Sequence, residues 1–283
     1  MTMIPPTLHT SAAQEWSLQE TTAYQTLQDI DISVVVTLHN YAQYIGECLD
    51  SVADSMLRDC SLSIELVIID DASTDCSLKT VVSWLDNHDD YKALLIRRHF
   101  NGGLPEARNL GIRMSRGQAV FILDADNIIS PGCLPELFRC LVDPALSAVY
   151  PLISKYNSQT GEALGFVSDR PFDISLLLQS NYIDAMAMFR KTALFDVGMY
   201  DHNMIHGWED YDLWLSLGLA GHQIHACPKL LAKYRVHDDS MVKRLTPKVL
   251  EVAEYLFLKY TAKLASYEST DILFGCPKAD LAK

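Results

Sequence analysis

The sequence predicts an α/β fold built on a mostly parallel, Rossmann-like sheet flanked by helices, and three observations predict it. Short β-branched and aliphatic runs alternate with segments whose apolar residues recur at helical spacing. The runs are compact and unbroken, as in buried strands. Polar clusters follow three of them: Thr37, Asp70-Asp71 and Asp124-x-Asp126. Ligands of open α/β sheets sit beyond the carboxyl ends of the strands, so three clusters on one edge point to one ligand site.

Residues 1–30 are mixed and poorly periodic and read as an extension, with a short helix near Gln14–Leu27. Ile32–Thr37 is the first strand of the organised region. Ile45, Leu49, Val52 and Met56 then mark a helix with one apolar face. Ile64–Ile69 is the second strand, Asp70–Asp75 a turn, Ser77–Leu85 a helix and Ala93–Ile96 the third strand. A loop and helix fill 101–116, Gly117 closes them, and Ala119–Leu123 is the fourth strand. Beyond it, Pro131–Cys140 reads as a helix, Val149–Ile153 and Ala185–Phe189 as strands, and Thr192–Val197 as a short helix closed by Gly198. Asp210–Leu219 reads as a helix, Ile224–Ala226 and Leu231–Val236 as strands, and Pro247 to Ser266 as one final helix.

Composition narrows the function classes. A chain of 283 residues fits one large domain or one domain with appendages. The formal charge of −13 argues against nucleic acid as the main partner, which needs a basic surface. Seven scattered cysteines without a C-x-x-C pair support neither a disulfide scaffold nor a zinc knuckle, and fit a reducing compartment. The N-terminus has no basic segment leading into an apolar run, so no signal peptide is expected. No stretch reaches the ~20 apolar residues of a membrane span. Peripheral membrane contact stays open.

The candidate chemistry lies in two acidic patches and the segments around them. Asp124 and Asp126 end an apolar strand, where a carboxylate pair suits a hard divalent cation that also contacts phosphate. Ordinary turn residues are the alternative there, since Asp126-Asn127 is also turn-like. Asp70 and Asp71 could hydrogen-bond a base or a sugar hydroxyl, with Asp71 the farther out; capping of the next helix by Asp71, Ser73 or Thr74 is the alternative. Arg108 follows Gly102-Gly103 and could face a phosphate, brace the aspartates, or lie on an exposed helix face. The segment is neither G-x-G-x-x-G nor a P-loop. Glu209 and Asp210 open a helix, where the dipole alone favours acids; functionally, Asp210 would be a general base. Trp208 would wall an acceptor site or fill the core. His237 could complete a metal site, although a lone histidine commonly does not, and Lys243 and Arg244 could help to close a phosphate site.

Taken together these segments resemble glycosyltransferase family 2, the inverting nucleotide-sugar glycosyltransferases of the GT-A fold. The resemblance runs through Val34–Tyr41 with Tyr44-Ile45, Val67–Asp75, Asn101-x-Gly103 to Gly111, Asp124-Ala125-Asp126, Gly207–Trp214 and Tyr234-Arg235-x-His237-x-x-Ser240. It covers about residues 31–243, leaving 1–30 as an extension and 244–283 as a C-terminal helical extension. It implies that Thr37, Asp71, Arg108 and Asp124 bind the nucleotide, with Asp71 at the base. It further implies Mn²⁺ or Mg²⁺ on Asp126 and His237, Asp210 as base with Glu209 orienting the acceptor, and Trp208 at the acceptor. The expected partners are a nucleotide-diphosphate sugar, a UDP-sugar foremost, and a saccharide, lipid-linked or protein acceptor, with a homodimer compatible. The expected setting is bacterial polysaccharide or glycoconjugate synthesis in the cytoplasm, at or away from the inner face of the membrane. Departures are Leu38-His39 where Pro-Thr or Pro-Ser is usual, and Pro105 in the glycine loop; both blur the donor more than the fold. A catalytically silent sugar-nucleotide-binding protein would suit a chain lacking Asp126 or Asp210, and both are present. A nucleotidyltransferase would show a basic Gly-rich N-terminal loop, which is missing.

Overall fold

A computed structural model describes residues 15–26, 29–205, 207–237, 248–265, 271–274 and 276–277. Lys243 and Arg244, proposed above for a phosphate site, lie outside the described residues. The first half of the chain is laid down as β1 (Trp16–Glu20), β2 (Ile32–Leu38), α1 (Ile45–Met56), β3 (Ile64–Asp70), α2 (Ser77–Asn87), β4 (Ala93–Arg98), α3 (Leu104–Met114) and β5 (Ala119–Asp124). β2 to β5 are parallel neighbours in the order β4-β3-β2-β5. Every residue of β2 and β3 is buried. Because side chains alternate across a strand, Val35, Val67, Ile69 and Ile122 enter one core layer and Val34, Val36, Ile68 and Phe121 the other. Register sets Thr37 opposite Asp124 and Leu38 opposite Asp70, so the polar strand ends stand level.

The expected helix over 14–27 is corrected. Trp16–Glu20 is a strand, antiparallel to β4, followed by a single 3-10 turn at Thr22–Gln25. The open edge of β4 supplies the backbone partners, which a local reading cannot foresee.

The second half adds β6 (Ile128–Ile129), α4 (Cys133–Leu141), β7 (Leu146–Asn157), β8 (Ala163–Val167), α5 (Ile174–Leu177), β9 (Met188–Arg190), α6 (Lys191–Asp196), α7 (Glu209–Leu219), β10 (Gln223–Val236) and α8 (Val249–Leu264). Two-residue strands β11 (Asp271–Ile272) and β12 (Cys276–Pro277) pair with each other. The large sheet is mixed: β9 joins β5 and β7 antiparallel, while β7 and β10 run parallel. The strand expected over 185–189 is shorter, because side-chain hydrogen bonds hold Asp184 and Met186 out of the ladder. The two strands expected after residue 223 are one, broken in register between Cys227 and Leu230. Pro228 stands in that break and has no N–H to give a ladder.

One packing contact fixes α3 against the sheet. A methyl added at Gly111 would run into Val35 in the middle of β2. Gly111→Ala gains about 1 kcal/mol of helix propensity but forces overpacking that costs about 1–3 kcal/mol. The expected result is a net loss in urea unfolding. A more stable variant would mean that α3 can move off β2 freely.

Candidate functional site

Arg108 joins the two acidic patches. It sits one turn into α3, is 1% exposed, and donates from Nη2 to both carboxylate oxygens of Asp124 at 2.8 and 3.0 Å. Its Nη1 donates to Glu209 Oε1 at 2.6 Å. Asp124 is the last residue of β5 and Glu209 the first of α7. Thr37 adds a fourth member, donating from Oγ1 to Asp124 Oδ1 at 3.1 Å. Burial works against the Arg108 charge, but Asp124, Tyr200 and Glu209 more than offset it. The exposed-arginine alternative therefore fails, and the chain has brought Thr37, Arg108, Asp124 and Glu209 into one network.

Asp71 does not cap a helix. Its carboxylate accepts from Arg98 Nη1 at 2.8 Å and from the backbone N–H groups of Gly102 and Gly103 at 3.0 Å each. It thereby ties the β3 end to the glycine loop ahead of α3. The loop needs its glycines: Gly103 has φ +86°, and a methyl at Gly102 would collide with the Arg98 guanidinium. At the start of α2, Asp75 rather than Asp71 accepts from Ser77 N–H, at 2.8 Å.

Asp126, in the turn between β5 and β6, meets His237, which follows β10, with Asp126 Oδ2 and His237 Nε2 3.0 Å apart. Arg235 locks that meeting: its Nε donates to the Asp126 carbonyl at 2.7 Å and its N–H to Asn127 Oδ1 at 2.9 Å. The rings of Tyr41 and Tyr44 lie 5.7 and 5.3 Å from the His237 ring. Burial raises the Asp126 carboxyl above its usual range, against the hydrogen bond from His237. Among the described residues no group of three or more metal-ligating side chains occurs. One carboxylate and one imidazole side by side nevertheless fit an oxygen-loving divalent ion that takes its remaining ligands from phosphate and water.

Asp210 is half-buried behind Glu209. Its Oδ1 accepts from Tyr211 N–H at 2.7 Å and its Oδ2 from Asn181 Nδ2 at 3.2 Å. Burial, then Glu209 and Asp184, push its carboxyl up to about 8, with Arg108 opposing. Asp184, also half-buried, is raised by burial to about 7. Trp208 sits outside the Arg108 network; it takes a left-handed backbone (φ +63°) ahead of α7, and its ring packs edge-on to Phe274 at 4.9 Å.

α8 braces α7 from behind. Lys259 Nζ donates to both oxygens of Asp212, at 2.9 and 2.8 Å, and Tyr260 OH to Asp212 Oδ1 at 2.7 Å. Arg98, Asn181 and Asp184 are site neighbours that the sequence reading did not single out, and Arg235 stood in the Tyr234-Arg235-x-His237 motif without a role of its own. Arg98 and Arg235 carried a signal, as cations at the ends of apolar runs. Asn181 and Asp184 lie in an irregular stretch that offered none.

A family model described as "Glycosyl transferase family 2" matches residues 33–197. The glycosyltransferase GlyG of Streptococcus pneumoniae is 25% identical over 146 residues, 52% of this chain and 46% of that protein. The chain thus spans less than half the length of that relative. The structure of S. aureus TarS in complex with UDP-GlcNAc superposes with a TM-score of 0.67 at 17% identity, covering 85% of this chain and 68% of that one. The mannosyltransferase PcManGT of Pyrobaculum calidifontis, in complex with GDP-Man and Mn²⁺, gives a TM-score of 0.62 at 21% identity, covering 87% and 69%. Both likenesses are of fold, and the fold is GT-A.

Proposed function

The chain belongs to glycosyltransferase family 2, and on that premise we propose that it is an inverting transferase moving a sugar from a nucleotide-diphosphate sugar to an acceptor hydroxyl. The observation that carries this reading is Arg108, which bonds Asp124 at the end of β5 and Glu209 at the start of α7 at once. This buried guanidinium supports a reading in which the donor side, at Asp124, and the acceptor side, at the start of α7, work as one site.

In this reading Asp71 with the Gly102-Gly103 loop receives the base, while Thr37 and Asp124 receive the ribose side. Asp126 and His237 would hold Mn²⁺ or Mg²⁺, which when bound supplies positive charge against the diphosphate leaving group. Asp210 takes the acceptor hydroxyl proton as the new C1–O bond forms and the C1–O bond to phosphate breaks on the opposite face. Glu209 orients the acceptor and Trp208 walls it. UDP-sugar is the donor class favoured, in line with the UDP-GlcNAc held by TarS; Mn²⁺ in PcManGT supports the ion. The acceptor is a saccharide, a lipid-linked saccharide or a protein, in bacterial polysaccharide or glycoconjugate synthesis on the cytoplasmic side. No described helix is long and apolar enough to cross a membrane.

The expected test result is a rise in melting temperature with UDP or a UDP-sugar in Mn²⁺ buffer. EDTA and Asp126→Ala should each weaken it. At a ligand concentration of 100 Kd the gain is about 2.7 kcal/mol. If no nucleoside diphosphate shifts the melting temperature in metal-containing buffer, the reading fails.

A further inference from the structure

Asp210 stands in an unfavourable electrostatic place. Glu209 precedes it in the chain, Asp184 faces it from the segment before β9, and the Tyr200 and Tyr234 hydroxyls share its surroundings. Arg108 is the cation whose field reaches it, yet the guanidinium Nη atoms are spent on Asp124 and Glu209. The carboxylate must therefore be held by neutral donors.

Two such donors grip opposite oxygens. Tyr211 N–H takes Oδ1 and Asn181 Nδ2 takes Oδ2. Two donors on two oxygens fix the plane of a carboxylate, where one would leave it free to swing. The Asn181 side chain is itself oriented, because its Oδ1 accepts the Ile183 N–H at 3.4 Å. That bond leaves the amide nitrogen for Asp210, the sense in which an amide meets an ionised carboxylate, which only accepts. The segment carrying Asn181 is pinned on both sides. Ser168 N–H donates to the Tyr182 carbonyl at 3.0 Å, and Asp184 N–H to Ser168 Oγ at 3.0 Å. Tyr182 OH in turn accepts from Asp173 N–H at 2.8 Å. A loop fastened this way delivers its amide with little freedom, which is what positioning a reacting group requires.

We propose that Asn181 is a positioning residue for the base: its amide holds Asp210 Oδ2 so that the carboxylate stays oriented and ionised for the acceptor proton. The role rests on the proposed function for its chemistry, but the contact can be tested without turnover. A hydrogen bond to the charged form favours that form, so Asn181 counters Glu209 and Asp184.

The experiment is a carboxyl ¹³C titration of the full chain labelled at aspartate, with the Asp210 resonance assigned by its absence in Asp210→Asn. In Asn181→Ala the Asp210 resonance should titrate at a pH at least half a unit higher than in wild type. Asn181→Asp, which sets a third carboxylate beside it, should move it further. Asn181→Ser, which keeps a short donor, should fall between. A resonance that titrates as in wild type in the variants that fold overturns the proposal, and Asn181→Ser supplies the comparison if Asn181→Ala does not fold. A second arm measures hydrolysis of UDP-GlcNAc in Mn²⁺ buffer. In Asn181→Ala kcat should fall about tenfold with the donor KM unchanged, and the acid limb should move to higher pH. A loss confined to donor KM would overturn the positioning role. If wild type neither binds nor hydrolyses nucleotide sugars, the proposed function fails, and the titration still decides whether Asn181 holds Asp210.

Discussion

Asp210→Asn is expected to lose transfer by about 10²–10⁴-fold, the range a positioned general base contributes, while binding a nucleoside diphosphate as wild type does. The substitution keeps shape and a hydrogen-bonding group but removes the proton acceptor. Donor binding should survive because the residues proposed for it, Asp71, Asp124, Asp126 and His237, belong to other elements, with bonds of their own. The measurement pairs turnover with nucleotide-dependent melting. Transfer at near-normal rate would remove Asp210 as the base.

The same residue predicts a pH dependence. Its carboxyl is raised to about 8 in the folded protein, by burial, then Glu209 and Asp184. The rate in the absence of other limits should therefore rise with pH toward that value, as the base ionises. Stability runs the other way. A carboxyl whose folded pKa lies above its unfolded value binds its proton more tightly when folded. Its contribution is then fully present below about 4, the unfolded value, and is lost as pH rises through the folded one. Asp210→Asn carries no such loss, so its melting temperature should gain on wild type between pH 5 and pH 8. Equal melting curves across that range would show that Asp210 is not strained in the native state.

The fold was legible where burial alone decides the pattern. β2, β3, β4 and β5 are buried parallel strands, and a strand buried on both faces writes itself as an unbroken apolar run. The helices between them bury one stripe, and that stripe is visible at 3.6-residue spacing. Trp16–Glu20 was misread because its strand character is set by the open edge of β4, some 75 residues away in sequence, and by nothing local. β8 escaped for a related reason, since its ladder partners come from β7, and the Asn181–Asp184 segment because single hydrogen bonds fix it, without a period.

The site was legible to a different depth. Strand ends announced Thr37, Asp71, Asp124 and Asp126, since a polar cluster after an apolar run has few other places to be. What the sequence could not supply was connectivity. Arg108 was open between three readings, and only its burial and its bonds to Asp124 and Glu209 choose among them. Arg98 turned Asp71 from a helix cap into the anchor of the glycine loop. Both are tertiary pairings between residues distant in sequence.

Replacing Arg108 should be the costliest single change in stability. Arg108→Met keeps much of the volume and removes the charge, leaving Asp124 and Glu209 without their shared partner. Breaking a buried ion pair from one side costs about 3–5 kcal/mol, because a charge stays behind unpaired. Asp124 retains 26% side-chain exposure and keeps some water, whereas Glu209 at 6% does not, so Glu209 sets most of the loss. Arg108→Lys should recover only part. An ammonium is a point charge on a flexible stem and cannot match a planar fork that reaches two carboxylates at once. The double variant Arg108→Met with Glu209→Gln should be more stable than Arg108→Met alone, since it removes the stranded charge. Urea unfolding of the three variants at pH 7 measures all of this. An Arg108→Met protein within 1 kcal/mol of wild type at pH 7 would mean that the bridge between the acidic patches carries little of the site's rigidity.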